Sequence, residues 1–131
     1  MGRESRTLTI VINGGVHTLQ ETLQHLEHVD GVMIGRAAYQ NPEMFARADE
    51  LVFCGPEAAP HDPLAVLDAM DHYISKRRER FGDKPCYVAK HLVGLFKGKP
   101  RAKIWRRELT ETMYDTSADF RLSNIYRKVF C

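Results

Sequence analysis

The sequence predicts a chain in two parts, an α/β segment followed by an all-helical one. Three observations lead there. Two short β-branched runs, Leu8-Thr9-Ile10-Val11-Ile12 and Val32-Met33-Ile34, each stop at a glycine turn. One amphipathic stretch lies between them. After residue 63 the apolar residues recur only at helical spacing.

A nearly continuous apolar run such as 8–12 reads as a strand buried on both faces, which is the habit of parallel sheets. It ends at Asn13-Gly14-Gly15, whose glycines permit positive φ and a close backbone approach. Thr18-x-x-Glu21 is a capping box that opens a helix. Leu19, Leu23 and Leu26 form its apolar stripe. Asp30-Gly31 breaks that helix, and the second strand, 32–34, runs into Gly35-Arg36. Residues 8–36 therefore spell a β-α-β unit with parallel strands and a right-handed crossover. Asn41-Pro42, a cap followed by proline at the first helical position, predicts a short helix over 42–48. Residues 54–63 hold three prolines and one glycine and are expected to link residues 1–53 to residues 64–131.

Asp62-Pro63 starts a long helix whose stripe is Leu67, Met70, Ile74 and Phe81, and Gly82 stops it. A second helix is predicted over 86–97, with Val88, Leu92, Leu95 and Phe96 on one side and Gly98 as the stop. A third covers 101–113, with Ala102, Trp105 and Leu109 in line. A fourth covers 119–130 through Leu122, Ile125, Tyr126 and Val129. Four helices with short connections predict a small antiparallel bundle. Trp105 falls on an apolar stripe, so it is expected in the core and not as a platform for a base.

Charge divides the chain the same way. The net charge of the 131 residues is only +2. Residues 1–75 carry four Lys/Arg against eleven Asp/Glu, a balance of −7. Residues 76–107 carry twelve against two, +10, and residues 108–131 carry three against four, −1. Such dense positive charge repels itself unless a polyanion relieves it, and a nucleic-acid backbone is the obvious one. The alternative is a basic surface with no partner. Lys76 and Arg80 are one helical turn apart, as are Lys103 and Arg107. Lys99, Lys103, Arg106 and Arg107 fall on one side, opposite Trp105 and Leu109.

Other function classes drop out. With 44% hydrophobic and 27% charged residues the chain is neither disordered nor fibrous. No run of 18 apolar residues exists, so no membrane span is expected. The first seven residues lack an apolar signal core, and Met1-Gly2 reads as a fragment start ahead of a myristoylation signal. Cys54, Cys86 and Cys131 are odd in number and far apart, which fits free thiols in a reducing cytoplasm. No metal site is expected: His25 and His28 are three apart, but no further ligand stands at a suitable spacing. No GxSxG, HExxH or P-loop motif occurs.

The chemistry lies at the two glycine turns. Ligands of α/β folds sit at the C-terminal ends of parallel strands, where backbone N–H groups and a helix N-terminus attract anions. Arg36 could add a two-pronged contact to a phosphate. The plainer alternative is that the glycines only turn the chain and Arg36 pairs with a neighbouring acid.

Specific strings carry a family resemblance. Asn13-Gly14-Gly15, then Asp30-Gly31-Val32-Met33-Ile34-Gly35-Arg36-Ala37-Ala38-Tyr39, then Asn41-Pro42, resemble the end of the flavin barrel of tRNA-dihydrouridine synthases. His91-Leu92-Val93-Gly94-Leu95-Phe96-Lys97-Gly98, Pro100, and Ile104-Trp105-Arg106-Arg107-Glu108-Leu109-Thr110-Glu111 resemble that family's helical tRNA-binding domain, most closely in its A-type subgroup. The first motif is shared with other FMN barrels; the two in this order are specific.

The resemblance implies the last two β-α units of a TIM-type (β/α)8 barrel joined to a helical tRNA-binding bundle. It implies reduction of a tRNA uridine to dihydrouridine with FMN and NADPH. It places the FMN phosphate at Asn13, Gly14, Gly15, Gly35 and Arg36. The tRNA-binding side is expected at Lys97, Lys99, Arg101, Lys103, Arg106 and Arg107. The family's catalytic cysteine and ring-lining residues have no counterpart from Leu8 onward, so no catalytic residue is expected here and the chain alone is expected to be inactive. One departure stands out: Pro100-Arg101-Ala102-Lys103 replaces the family's usual Pro-Gly-Ala-Arg. Two other readings remain at this level. One is a flavin-barrel oxidoreductase for a small molecule, with a helical tail for oligomerisation. The other is a non-enzymatic nucleic-acid module in which 86–97 and 101–113 form a helix-turn-helix.

Overall fold

The computed structural model describes residues 8–55 and 62–131. The expectations for residues 1–7, and for most of the linker, lie outside the described residues. Two compact units emerge, Met1–Ala58 and Ala59–Cys131.

In the first unit, strand β1 (Val11–Asn13) is followed by helix α1 (Leu19–Leu26) and strand β2 (Gly31–Met33). Helix α2 (Arg36–Gln40), a 3-10 stretch (Pro42–Arg47) and helix α3 (Ala48–Phe53) complete it. β1 and β2 pair in parallel, with Val11 opposite Gly31 and Asn13 opposite Met33. The Asp30-Gly31 pair does more than end α1. The Ile10 N–H donates to Asp30 Oδ2 at 2.8 Å. The Ile10 carbonyl accepts from the N–H groups of Asp30 and Gly31 at 2.9 and 3.2 Å. A Cβ on Gly31 would stand 3.0 Å from Val11 Cγ2, so the strands approach this closely only because the residue is glycine.

β1 is shorter than expected, β2 keeps three residues but begins one position earlier, and neither is buried on both faces. Val11 is 57% exposed, and Leu8, Ile10 and Met33 are exposed as well. Apolar runs of this kind suit a sheet covered on both sides. Here two strands and the helix packed on β2 leave one face and the edges open. The helix expected over 42–48 is 3-10 in form, and it runs directly into α3.

The second unit is all-helical. Helix α4 (Pro63–Phe81) begins and ends at the expected signals. Asp62 Oδ1 accepts from the Leu64 N–H at 2.9 Å, Pro63 takes the first position, and Gly82 closes the helix at φ +70°. Helix α5 is a single turn (Cys86–Ala89) that tightens into a 3-10 turn at Lys90–Leu92. Helices α6 (Ala102–Thr112) and α7 (Leu122–Phe130) follow. The long helix expected over 86–97 is thus not formed. Past residue 92 the backbone bonds close three residues back, Leu95 N–H to Leu92 and Lys97 N–H to Gly94. The Leu92 carbonyl also accepts the indole N–H of Trp105 at 3.1 Å, which holds the end of the turn to α6.

One core serves all of these helices. Leu67, Phe96, Trp105, Leu109 and Leu122 are its largest enclosed side chains. Phe96 meets Trp105 edge-on at 4.9 Å and Phe130 at 4.8 Å between ring centroids. Trp105 is a core residue, as its stripe suggested. Phe81 is not. It is 56% exposed, because α4 outruns the core by its last turn, and the guanidiniums of Arg77 and Arg80 lie 4.5 and 5.1 Å from its ring.

Helix α7 starts three residues later than expected, and Asp71 explains why. Its N-cap residue, Arg121, makes no side-chain cap. The buried carboxylate of Asp71 on α4 accepts instead from Leu122 N–H at 2.7 Å, Ser123 N–H at 3.1 Å and Ser123 Oγ–H at 2.8 Å. A cap arriving from a distant helix fixes both where α7 begins and how it lies against α4.

Asp71→Ala strips the cap from two buried N–H groups and is expected to cost about 2–4 kcal/mol. Asp71→Asn, which keeps an acceptor in place, should cost less. Urea unfolding of the three proteins checks the order.

Candidate functional site

In the first unit the turns after β1 and β2 face a common cleft of about 180 Å³. All five residues expected at a phosphate, Asn13, Gly14, Gly15, Gly35 and Arg36, line it. Gly14 and Gly15 take φ +111° and +72°, values that side chains other than glycine adopt at a cost. A Cβ at either position would meet no atom within 4 Å, so the glycines serve backbone conformation and leave the approach open. Among the described residues Arg36 forms no ion pair.

His17 also lines the cleft, and sequence reasoning missed it. Its only signal was its place just before the helix cap. The capping box is offset by one residue. Thr18 Oγ1 accepts from the Glu21 N–H at 3.1 Å, but the Glu21 carboxylate accepts from His17 N–H at 2.7 Å. That carboxylate uses one donor at the start of α1. The Gly14-Gly15 turn and the Gly35-Arg36 start of α2 remain as the anion-attracting part of the cleft.

The basic segment of the second unit divides by what its side chains hold. Arg77 binds the Asp83 carboxylate at 2.7 Å through Nε. Arg78 donates to the carbonyls of Thr116 and Ser117, fixing the turn before α7. Arg107 lies 3.4 Å from Glu108, which also pairs with Lys128 at 2.5 Å. Lys76, Arg80, Lys84 and Lys90 are exposed, and so are Lys97, Lys99, Lys103 and Arg106 of the predicted set. On α6, Lys103 and Arg106 stand apart from the buried Trp105, Glu108 and Leu109.

Arg101 is a special case. It has φ +65°, the left-handed conformation that glycine takes freely, and it precedes α6. Its guanidinium donates to the Val129 carbonyl at 2.8 Å, at the C-terminal end of α7. A cation there satisfies an orphan carbonyl and complements the helix dipole. The strain of a left-handed arginine is therefore offset by the bond that its own side chain makes. The helix-turn-helix reading of 86–97 and 101–113 does not survive, because its first helix is one turn long and Trp105 is enclosed.

Two carboxylates have lowered pKa values. Glu108 is held down first by the hydrogen bond from Lys128, against the opposing effect of burial, with Arg107 helping. Asp115 is held down by the backbone and hydroxyl donors of Ser117, with a smaller contribution from Arg78. Among the described residues no group of three His, Cys, Asp or Glu is placed to hold a metal. No helix among them is long and apolar enough to cross a membrane.

The first unit holds a glycine-turn cleft at the ends of parallel strands, and the second is a helical unit with exposed lysines and arginines. The family model for dihydrouridine synthase matches residues 3–129, and the chain belongs to the dihydrouridine synthase family. It is 43% identical over 117 residues to the tRNA-dihydrouridine(20/20a) synthase of Salmonella typhi and, equally, to that of Escherichia coli K12. It is 40% identical over 116 residues to the Yersinia pestis protein of the same name. The first of these matches covers 89% of this chain but 35% of the relative, so the chain spans about a third of the length of the proteins it matches.

Arg101→Ala keeps the positive φ but loses the bond to Val129, whereas Arg101→Gly loses the bond and the strain together. We expect Ala to destabilise by about 1–2 kcal/mol and Gly by less than half of that, measured by thermal unfolding. The lowered carboxylates contribute stability that is complete above the ordinary carboxylate range and fades as pH falls through their folded values. Below about pH 4.5, melting temperature should drop less steeply for Glu108→Gln than for the wild type.

Proposed function

We propose that this chain supplies two holding functions of a tRNA-dihydrouridine synthase: the seat of the FMN phosphate and a surface for tRNA. The observation that carries the first is the cleft that gathers Asn13, Gly14, Gly15, Gly35 and Arg36 from two separate turns. The donor set suits a phosphate. Backbone N–H groups of a glycine turn give directional donors, and Arg36 gives a charge that no acid of the described residues neutralises. The bound flavin, once reduced by NADPH, would supply the hydride that, with a proton, saturates the uracil C5–C6 double bond. The chain's own part is to fix the phosphate end so that the ring is held in one place. We place the two strands within the last units of a TIM-type barrel, whose other strands and helices would cover the apolar side chains of Ile10, Val11 and Met33 that stand exposed here.

The second function rests on the exposed lysines and arginines of residues 76–107 and on the tRNA that the relatives' names carry. Lys97, Lys99, Lys103 and Arg106 contribute charge to the phosphate backbone. The guanidiniums of Arg101 and Arg107 are engaged at Val129 and Glu108. None of Cys54, Cys86 and Cys131 lines the cleft, so these residues offer no thiol acid for the uracil ring. The chain by itself is expected to form no dihydrouridine.

Titrating FMN with the chain should quench flavin fluorescence weakly, while riboflavin, which lacks the phosphate, should not respond. Arg36→Ala should abolish the FMN response, and equal binding of riboflavin would overturn the assignment. A tRNA gel shift should weaken steeply with salt, by about 0.7–0.9 in log–log slope per phosphate contact. Lys103→Gln with Arg106→Gln should lower that slope by roughly one to two.

A further inference from the structure

We propose that the helical unit carries a stacking site for an unpaired nucleobase, formed by Tyr73 and Tyr87, separate from the charged surface at residues 97–107. This rests on the reading that the basic unit binds RNA. Tyr73 on α4 and Tyr87 on α5 are 48% and 54% exposed. Both line a cleft of about 400 Å³ whose apolar side chains include Met70, Val88 and Leu92. A volume of this size suits a small planar ligand.

Exposed tyrosines alone would mean little. What identifies the occupant is the charge around them. Arg77 lines the same cleft, one helical turn from Tyr73. Its position is set by Asp83, which accepts from Nε at 2.7 Å. The other side of that guanidinium lies 4.5 Å from the Phe81 ring, with Arg80 at 5.1 Å from the same ring. Exposed aromatic rings therefore alternate with the guanidiniums of Arg77 and Arg80, the first of them held by Asp83, and exposed Lys76, Lys84 and Lys90 lie nearby in sequence. Proteins hold single-stranded nucleic acid in this way, with bases on aromatic faces and phosphates on the surrounding cations. An acidic protein partner would use the cations but would have no call on two exposed rings beside an apolar floor.

The test uses the full chain and two single strands of equal length and charge, oligouridylate and an abasic strand. The wild type should bind oligouridylate about tenfold or more tighter than the abasic strand at fixed salt. Tyr73→Ala and Tyr87→Ala should each cut that ratio several-fold with the salt slope unchanged, and Tyr87→Phe should keep it. Both tyrosines are exposed, so circular dichroism should report an intact fold in each variant. A ratio near one for the wild type, or a ratio untouched by either alanine, overturns the stacking site while leaving RNA binding in place. Absence of a shift with both strands and with tRNA overturns the RNA reading itself, and the stacking site with it.

Discussion

The helical unit depends on one buried carboxylate. Asp71 sits in the middle of α4 and accepts three hydrogen bonds from the first residues of α7, some fifty positions along the chain. Without it α7 would begin with uncapped N–H groups in a buried place, a cost that few local alternatives could offset. With it, the helix that carries Ile125, Tyr126, Val129 and Phe130 is pinned at its start. Arg101 pins the other end through Val129. Between those two fastenings the aromatic side chains of α7 close over Phe96, and Phe96 closes over Trp105.

Charge is distributed by the same logic. The basic segment looked from its composition like a single polyanion-binding face. Several of its arginines are instead structural: Arg77 on Asp83, Arg78 on the turn at 116–117, Arg101 on α7. Guanidinium suits these tasks because its fixed fork satisfies carbonyls and carboxylates that lysine would meet at a single point. The lysines, with Arg106 and Arg80, are left at the surface. Part of the positive charge thus assembles the unit, and the rest stands at its surface.

Much of the first unit was legible. The glycine turns, the capping box and the parallel pairing each follow from local rules, and the cleft follows from putting the two turns side by side. The strands' exposure was not legible, because an apolar run says what a segment can bury and not what lies beside it. The helix expected over 86–97 failed for a related reason. Its apolar spacing was correct, yet the backbone tightened to three-residue bonds where the Leu92 carbonyl was drawn to the Trp105 indole.

The sequence by itself determined the β-α-β order, the starts and stops of α1, α4 and α6, the glycine turns that line the cleft and most members of the core stripe. These depend on residues within a few positions of one another, so they can be read in order. Only the tertiary structure decided that Asp71 caps α7, that Arg101 holds a left-handed turn through Val129, and which cations remain at the surface. Those outcomes join residues dozens of positions apart, and no local propensity encodes which donor will find which acceptor.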